Sequence, residues 1–352
     1  MKMNPRQLTF VREYRGYSQT ELSSRINGLS QSNLSKFEMG VGQLSDIVQQ
    51  RIIDFLGFPS AFYEQVISNN VENAHYRKKV GIIKKRKEYI EQSNKLIGYI
   101  IDKMSESVDF PIFSLKPIDL EDGYSPEYVA QFTRRLIGIM QGNVRNICTI
   151  LEKNGIIIVE QNDYGEGFDG VSFITDGGIP VIIINGSRSN DRKRLDIAHE
   201  LGHILMHLYP EISIPEYRDK ENEAFEFAAE FLMPEKEIRQ SLTKLKLSYL
   251  LPLKQYWLTS MASIVHRAKE LDCIDKEWYR YLNVELSRRG YKKNEPGIVY
   301  IDRPQSFFEA YGLFRDELKY SDDELSEMFH LPLDVLNHFF AKNTTFLHVI
   351  RN

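Results

Sequence analysis

The chain of 352 residues is long enough for two or three domains with cores of their own. Its 42% hydrophobic and 27% charged residues are those of a globular protein, not of a disordered or membrane-embedded one. MKMNPRQLTF has no apolar run of the secretory kind, and no window approaches the ~18 apolar residues of a membrane span, so neither secretion nor spanning is expected. Cys148 and Cys273, the only two cysteines, lie far apart and without metal-type spacing, which predicts inert thiols in a reducing cytoplasm. The net charge of -4 is unevenly spread: residues 1–100 hold 15 Lys and Arg against 9 Asp and Glu, and the rest hold 30 against 40. A basic front and an acidic back point to different partners for the two parts.

In chain order, residues 5–15 read as a helix with Leu8, Val11 and Phe10 turned inward. Ser18 caps the next helix, and Glu21 three residues on completes a capping box. A turn through Asn27, Gly28 and Leu29 leads to Ser30, which caps QSNLSKFEMG, and Gly40 ends that helix. Two short helices joined by such a turn form a helix-turn-helix pattern whose second helix would enter a DNA groove. Gln31, Ser32, Asn33 and Lys36 share its outward face while Leu34 and Phe37 face in. Amide side chains match adenine edges, and Gln19 at the start of the preceding helix is placed for phosphate. The same face would also serve for docking a protein.

Residues 46–58 add a helix with Ile47, Ile52, Ile53, Phe55 and Leu56 as its apolar contacts. Residues 75–104 carry seven basic residues between Arg77 and Lys87, then an amphipathic stretch around Ile90, Leu96, Ile97, Ile100 and Ile101. Pro111, Pro117 and EDGYSPEY mark an irregular connection. Helices over 126–138 and 142–154 then precede three β-branched runs, GIIIVE, VSFIT and PVIIIN.

The stretch DIAHELGHILMH follows, with Ile197, Leu201, Ile204, Leu205 and Leu208 forming the apolar stripe of a half-sunk helix. Asn190 or Asp191 would cap it, and Tyr209-Pro210 would stop it. On a helix His199 and His203 stand one turn apart and reach one metal ion, with Glu200 beside them as general base on the attacking water. This is the H-E-x-x-H arrangement of zinc peptidases. A third ligand is needed, and NEAFEFAAEFLMP supplies carboxylates: Glu223 adjoins the buried stripe Ala224, Phe227, Ala228 and Phe231, with Glu226 and Glu230 as rivals. The strand that would pair with an extended substrate is either Val171 to Thr175 or Val181 to Asn185. His207 and Tyr209 are close in sequence, but neither is marked as an oxyanion donor; His207, one turn beyond His203, reads as a histidine packed at the helix end, with support of the site as the alternative.

Two family resemblances rest on these residues. GYSQTELSSRINGLSQSNLSKFEMG resembles the XRE-type helix-turn-helix over about residues 4–63. GFDGVSF, PVIIIN, DIAHELGHILMH and ENEAFEFAAEFLMP resemble the ImmA/IrrE family of zinc metallopeptidases over about residues 126–240, and the order of the segments resembles fusions of the two. The second resemblance implies His199, His203 and Glu223 as zinc ligands and Glu200 as base. The expected architecture is α+β and predominantly helical: a helix-turn-helix domain over 1–68, a basic helical linker over 69–125, a zincin-like domain with a small sheet over 126–240 and a helical domain over 241–352. The expected function is a cytoplasmic zinc endopeptidase that binds operator DNA and cleaves a repressor or antitoxin, and a palindromic operator would call for a homodimer. The rival expectation is a transcription regulator whose zinc domain is sensory or structural.

Overall fold

A computed structural model describes residues 3–67, 84–165 and 167–340. The chain is α+β and predominantly helical, with one three-stranded sheet among the described residues. It divides into two compact units. The described parts of the first are residues 3–67, 84–108 and 308–340, and those of the second are 109–165 and 167–307.

The first unit begins with α1 (Pro5–Tyr14), capped by Asn4, and α2 (Gln19–Arg25), where both halves of the Ser18–Glu21 capping box are made. Next come α3 (Gln31–Glu38), capped by Ser30, and α4 (Asp46–Leu56). Gly57 ends α4 at φ 71°, a left-handed turn that costs glycine no Cβ clash. Leu8, Phe10 and Val11 are buried as expected, but Ile47 is 66% exposed and contributes little to the core. Helix α5 (Lys84–Ser105) buries Ile90, Leu96, Ile97, Ile100 and Ile101. Much of the basic run that starts at Arg77 lies outside the described residues. Phe62 gathers the apolar faces, with Phe10, Phe58 and Tyr99 rings at 5.7, 5.0 and 5.7 Å.

Residues 308–340 belong to this unit as well. Helix α15 (Asp322–Phe329) starts at a Ser321–Glu324 capping box and is followed by α16 (Leu333–Phe340). The Tyr99 hydroxyl donates to the Phe329 carbonyl at 3.0 Å, and Arg15 pairs with Asp334. The grouping therefore differs from the sequence reading, which assigned 69–125 to a linker and 241–352 to one domain. Helix α5 packs on α1, and Leu325 and Phe329 of α15 and Val335, Leu336 and Phe339 of α16 are buried in the same unit.

In the second unit α6 (Pro126–Leu136) and α7 (Ile147–Lys153) lead to β1 (Ile157–Gln161), β2 (Gly170–Ile174) and β3 (Pro180–Asn185). The strand order is β1-β3-β2, with β3 parallel to β1 and antiparallel to β2. Because β3 is paired on both sides, Val181 to Asn185 offers no free edge, and β2 is the outer strand packed against the following helix, α8 (Asn190–His207). Ser189, not Asn190 or Asp191, is the N-cap of α8; Asn190 instead donates to the Val299 carbonyl. Helix α9 (Lys220–Leu232) packs on α8, with Ala224, Phe227, Ala228 and Phe231 fully buried.

The remaining helices of this unit are α10 (Glu235–Leu242), α11 (Leu250–Trp257), α12 (Met261–Glu270) and α13 (Lys276–Arg288). Trp257, Met261, Ile264 and Val265 share one apolar core with Ile197, Leu201 and Phe231. The fully buried Arg267 of α12 pairs with Glu230 of α9, so the expected boundary at residue 240 falls inside a continuous core. Helix α14 (Ser306–Asp316) spans the division between the units. No helix among the described residues is long and apolar enough to cross a membrane.

Candidate metal centre

The apolar stripe of α8 fixes the helix's rotation, and that rotation sends His199 and His203 toward α9. Their Nε2 atoms are 3.1 Å apart. The Glu221 carboxylate closes the triangle, one oxygen 3.5 Å from His199 Nε2 and the other 3.4 Å from His203 Nε2. Taking one ligand atom from each residue, the three lie within 4.8 Å of one another, near enough to converge on one metal ion. Two imidazoles and one carboxylate leave one tetrahedral position open, the pattern of catalytic sites.

Electrostatics favour the same use. Burial, opposed by the nearby Glu221 carboxylate, lowers the His203 pKa to about 4, so its ring is neutral at pH 7 and keeps a lone pair for a cation. Burial pushes the Glu221 carboxyl up, but the two imidazoles facing it outweigh that and hold the group well below the ordinary carboxylate range.

Glu223, the carboxylate favoured by the sequence, does not join this triangle. It accepts hydrogen bonds from Arg218 Nε at 2.9 Å and Arg218 Nη2 at 2.7 Å, and its Oε2 lies 2.8 Å from His207 Nε2. Residues 221 and 223 are about 200° apart on a helix, so only one can face a given partner. The row that meets His199 is the one carrying Glu221 and, one turn on, Phe225, whose ring is 4.3 Å from the His199 ring. Sequence periodicity marks the buried stripe, but a glutamate adjoins it on either side. Of the two rivals, Glu226 accepts from Asn222 and Glu230 is committed to Arg267.

Glu200 is 3% exposed and its Oε2 accepts a 2.7 Å hydrogen bond from Ser172 Oγ on β2. Ser172 is a site residue that sequence reading missed, since a serine inside an apolar strand carries no mark of its partner. Gly170, at the start of the same strand, makes the contact close: a Cβ there would sit 3.3 Å from Glu200 Oε1 and 3.3 Å from the Ile183 carbonyl. Gly202 plays a like part between the helices, where a Cβ would come within 3.1 Å of Phe227 Cδ1 and 3.3 Å of the Ala224 Cα. His207 turns to Glu223, and Tyr209 stacks on Phe113 with rings 5.6 Å apart.

In the first unit, Gln31, Ser32, Asn33 and Lys36 are all exposed on α3, with Leu34 and Phe37 buried. Gln19 is half-buried and held in place: it donates to Glu38 at 2.7 Å and accepts from Gln31 at 2.9 Å. Arg12 anchors Glu38 at 2.6 Å. The amide of Gln31 is thus oriented by a chain of three side chains.

No curated protein matches the chain. A peptidase family model, described as the IrrE N-terminal-like domain, matches residues 151–269. That span runs from α7 through the sheet, α8 and α9 to α12 and contains His199, Glu200, His203 and Glu221. Residues 151–269 of the second unit are thus similar to a metallopeptidase-type domain, the IrrE N-terminal-like domain, and hold a His-His-Glu group that could bind a metal ion.

Proposed function

We propose that this chain is a zinc-dependent endopeptidase that acts on a regulatory protein, a repressor or antitoxin, and that its N-terminal helices bring it to operator DNA. The observation carrying the catalytic part is the convergence of His199, His203 and Glu221 within reach of one metal ion, one residue from a buried, oriented glutamate. Zinc bound there would polarise a peptide carbonyl and make a coordinated water acidic enough to attack it near pH 7. Glu200 takes the proton of the attacking water and returns it to the leaving amine, and Ser172 keeps its carboxylate aimed during both transfers. The outer edge of β2, beside α8, is where an extended segment would add as a further strand. That preference favours unfolded or looped substrate segments over folded surfaces.

The DNA part is supported by the exposed polar face of α3 and by the Arg12–Glu38–Gln19–Gln31 chain that stiffens it. A pair of such units in a homodimer would read a palindromic operator. Glu200→Gln separates this function from a purely sensory role of the metal domain. The variant is expected to keep zinc and DNA affinity while losing cleavage and derepression. Unchanged regulatory output would reject the peptidase reading.

A further inference from the structure

His207 is not a ligand in the triangle, yet it lies within a line of hydrogen bonds that starts at one. His203 Nδ1 and His207 Nδ1 are 2.9 Å apart, His207 Nε2 and Glu223 Oε2 are 2.8 Å apart, and Arg218 grips Glu223 with two N–H groups. The side chains of His203 and His207 have no exposed area, and Arg218 keeps only 5% of its own. Water has little room to replace any link.

Proton placement along this line has only one solution that suits a metal. Two ring nitrogens 2.9 Å apart need one donor and one acceptor. If His207 gave the proton, His203 would carry its own on Nε2, pointing at His199 and Glu221, and could not bind a cation there. With Glu223 drawing the His207 proton to Nε2, His207 Nδ1 is left as acceptor, His203 donates from Nδ1, and the lone pair of His203 Nε2 faces the metal site. We infer that His207, Glu223 and Arg218 are positioning residues that fix the tautomer and orientation of His203, with the charge of Glu223 balanced by Arg218. In most metal sites a carboxylate, a backbone carbonyl or water receives that N–H directly; here a second imidazole is interposed.

The far end of the line is anchored as well. Asp119 and Glu121 lie 3.8 and 4.0 Å from Arg218 Nη1, and the Tyr217 hydroxyl donates to Glu121 at 2.8 Å. The segment after α8 is in this way tied to the residues before α6, and Arg218 is delivered to Glu223 by both.

This inference rests on the reading of His199, His203 and Glu221 as ligands, and the test keeps the two apart. Zinc dissociation constants are measured by competition with a chromophoric chelator for the full chain, His207→Phe, His207→Gln and Arg218→Met, and each protein is also loaded with cobalt for its visible spectrum. Removing such outer partners is expected to weaken zinc binding by roughly 10- to 100-fold in His207→Phe. The tetrahedral cobalt bands should persist, because no ligand is lost. Glutamine accepts from His203 with its oxygen and donates to Glu223 with its nitrogen, so His207→Gln should restore affinity to within a few-fold of the parent. Equal affinity in His207→Phe, or a glutamine variant no better than phenylalanine, overturns the relay. A parent chain that binds no zinc sinks the ligand reading and the relay together. Should His207→Phe fold poorly, as judged by its melting in chelator, Arg218→Met decides: it too must weaken zinc binding, and parental affinity there rejects the inference.

Discussion

Replacing Glu221 by alanine removes one corner of the triangle and leaves both imidazoles in place. Small four-ligand zinc sites bind with roughly 10 to 16 kcal/mol of apparent free energy, or about 3 kcal/mol for each ligand. Such a loss weakens binding on the order of 100-fold. With free zinc at about 1,000 times the parent dissociation constant, bound metal stabilises the fold by about 4.1 kcal/mol; after a 100-fold weakening it supplies about 1.4 kcal/mol. For a unit of roughly 200 residues the difference corresponds to a zinc-induced melting shift smaller by about 5 to 10 °C. Glu223→Ala removes no ligand, and a roughly 10-fold loss through His207 would cost only about half as much. Calorimetric scans of the three proteins with buffered zinc and with chelator give both numbers. A full zinc response in Glu221→Ala together with its loss in Glu223→Ala would refute the placement of Glu221 and restore the carboxylate that the sequence favoured.

Two further outcomes follow from the same geometry. Gly202→Ala gains about 1 kcal/mol of helix propensity but forces α9 away from α8, an overpacking cost of about 1 to 3 kcal/mol, so zinc titration should show a several-fold weaker site; unchanged affinity would mean that the close approach of the helices is not needed. Asn33→Ala combined with Lys36→Ala should weaken binding to duplex DNA from the regions flanking its own gene, and each lost phosphate contact should lower the salt-dependence slope by about 0.9. A gel shift identical to the parent's would move α3 to a protein-docking role.

Much of the site was legible because one helix carries it. The spacing of Ile197, Leu201, Ile204 and Leu205 fixes which way α8 faces, and so fixes His199 and His203 as a pair. The third corner was not legible, because the facing rotation of α9 is set by packing. Ala224 fits against Gly202, Phe227 fills the space beside it, and that fit sends Glu221 to one side of the stripe and Glu223 to the other. Ser172 went unnoticed for a related reason: its partner is 28 residues away and only strand register brings them together. Strands, by contrast, were readable to within two residues from their β-branched runs. The sheet order was not, since PVIIIN and VSFIT are equally apolar and only pairing on both sides distinguishes β3. Domain grouping failed at the C-terminus because SDDELSEMF advertises a capped helix but not what that helix covers.

The return of residues 308–340 to the unit built by the first helices has a consequence for synthesis. A ribosome making roughly 5 to 20 residues per second needs about 10 to 40 s to travel from residue 108 to residue 308. Throughout that interval Tyr99 and Arg15, whose partners Phe329 and Asp334 lie on α15 and α16, stay open to water or to a chaperone. The segment that emerges first is therefore among the last to reach its finished state, and any fragment ending before residue 308 leaves both side chains open permanently.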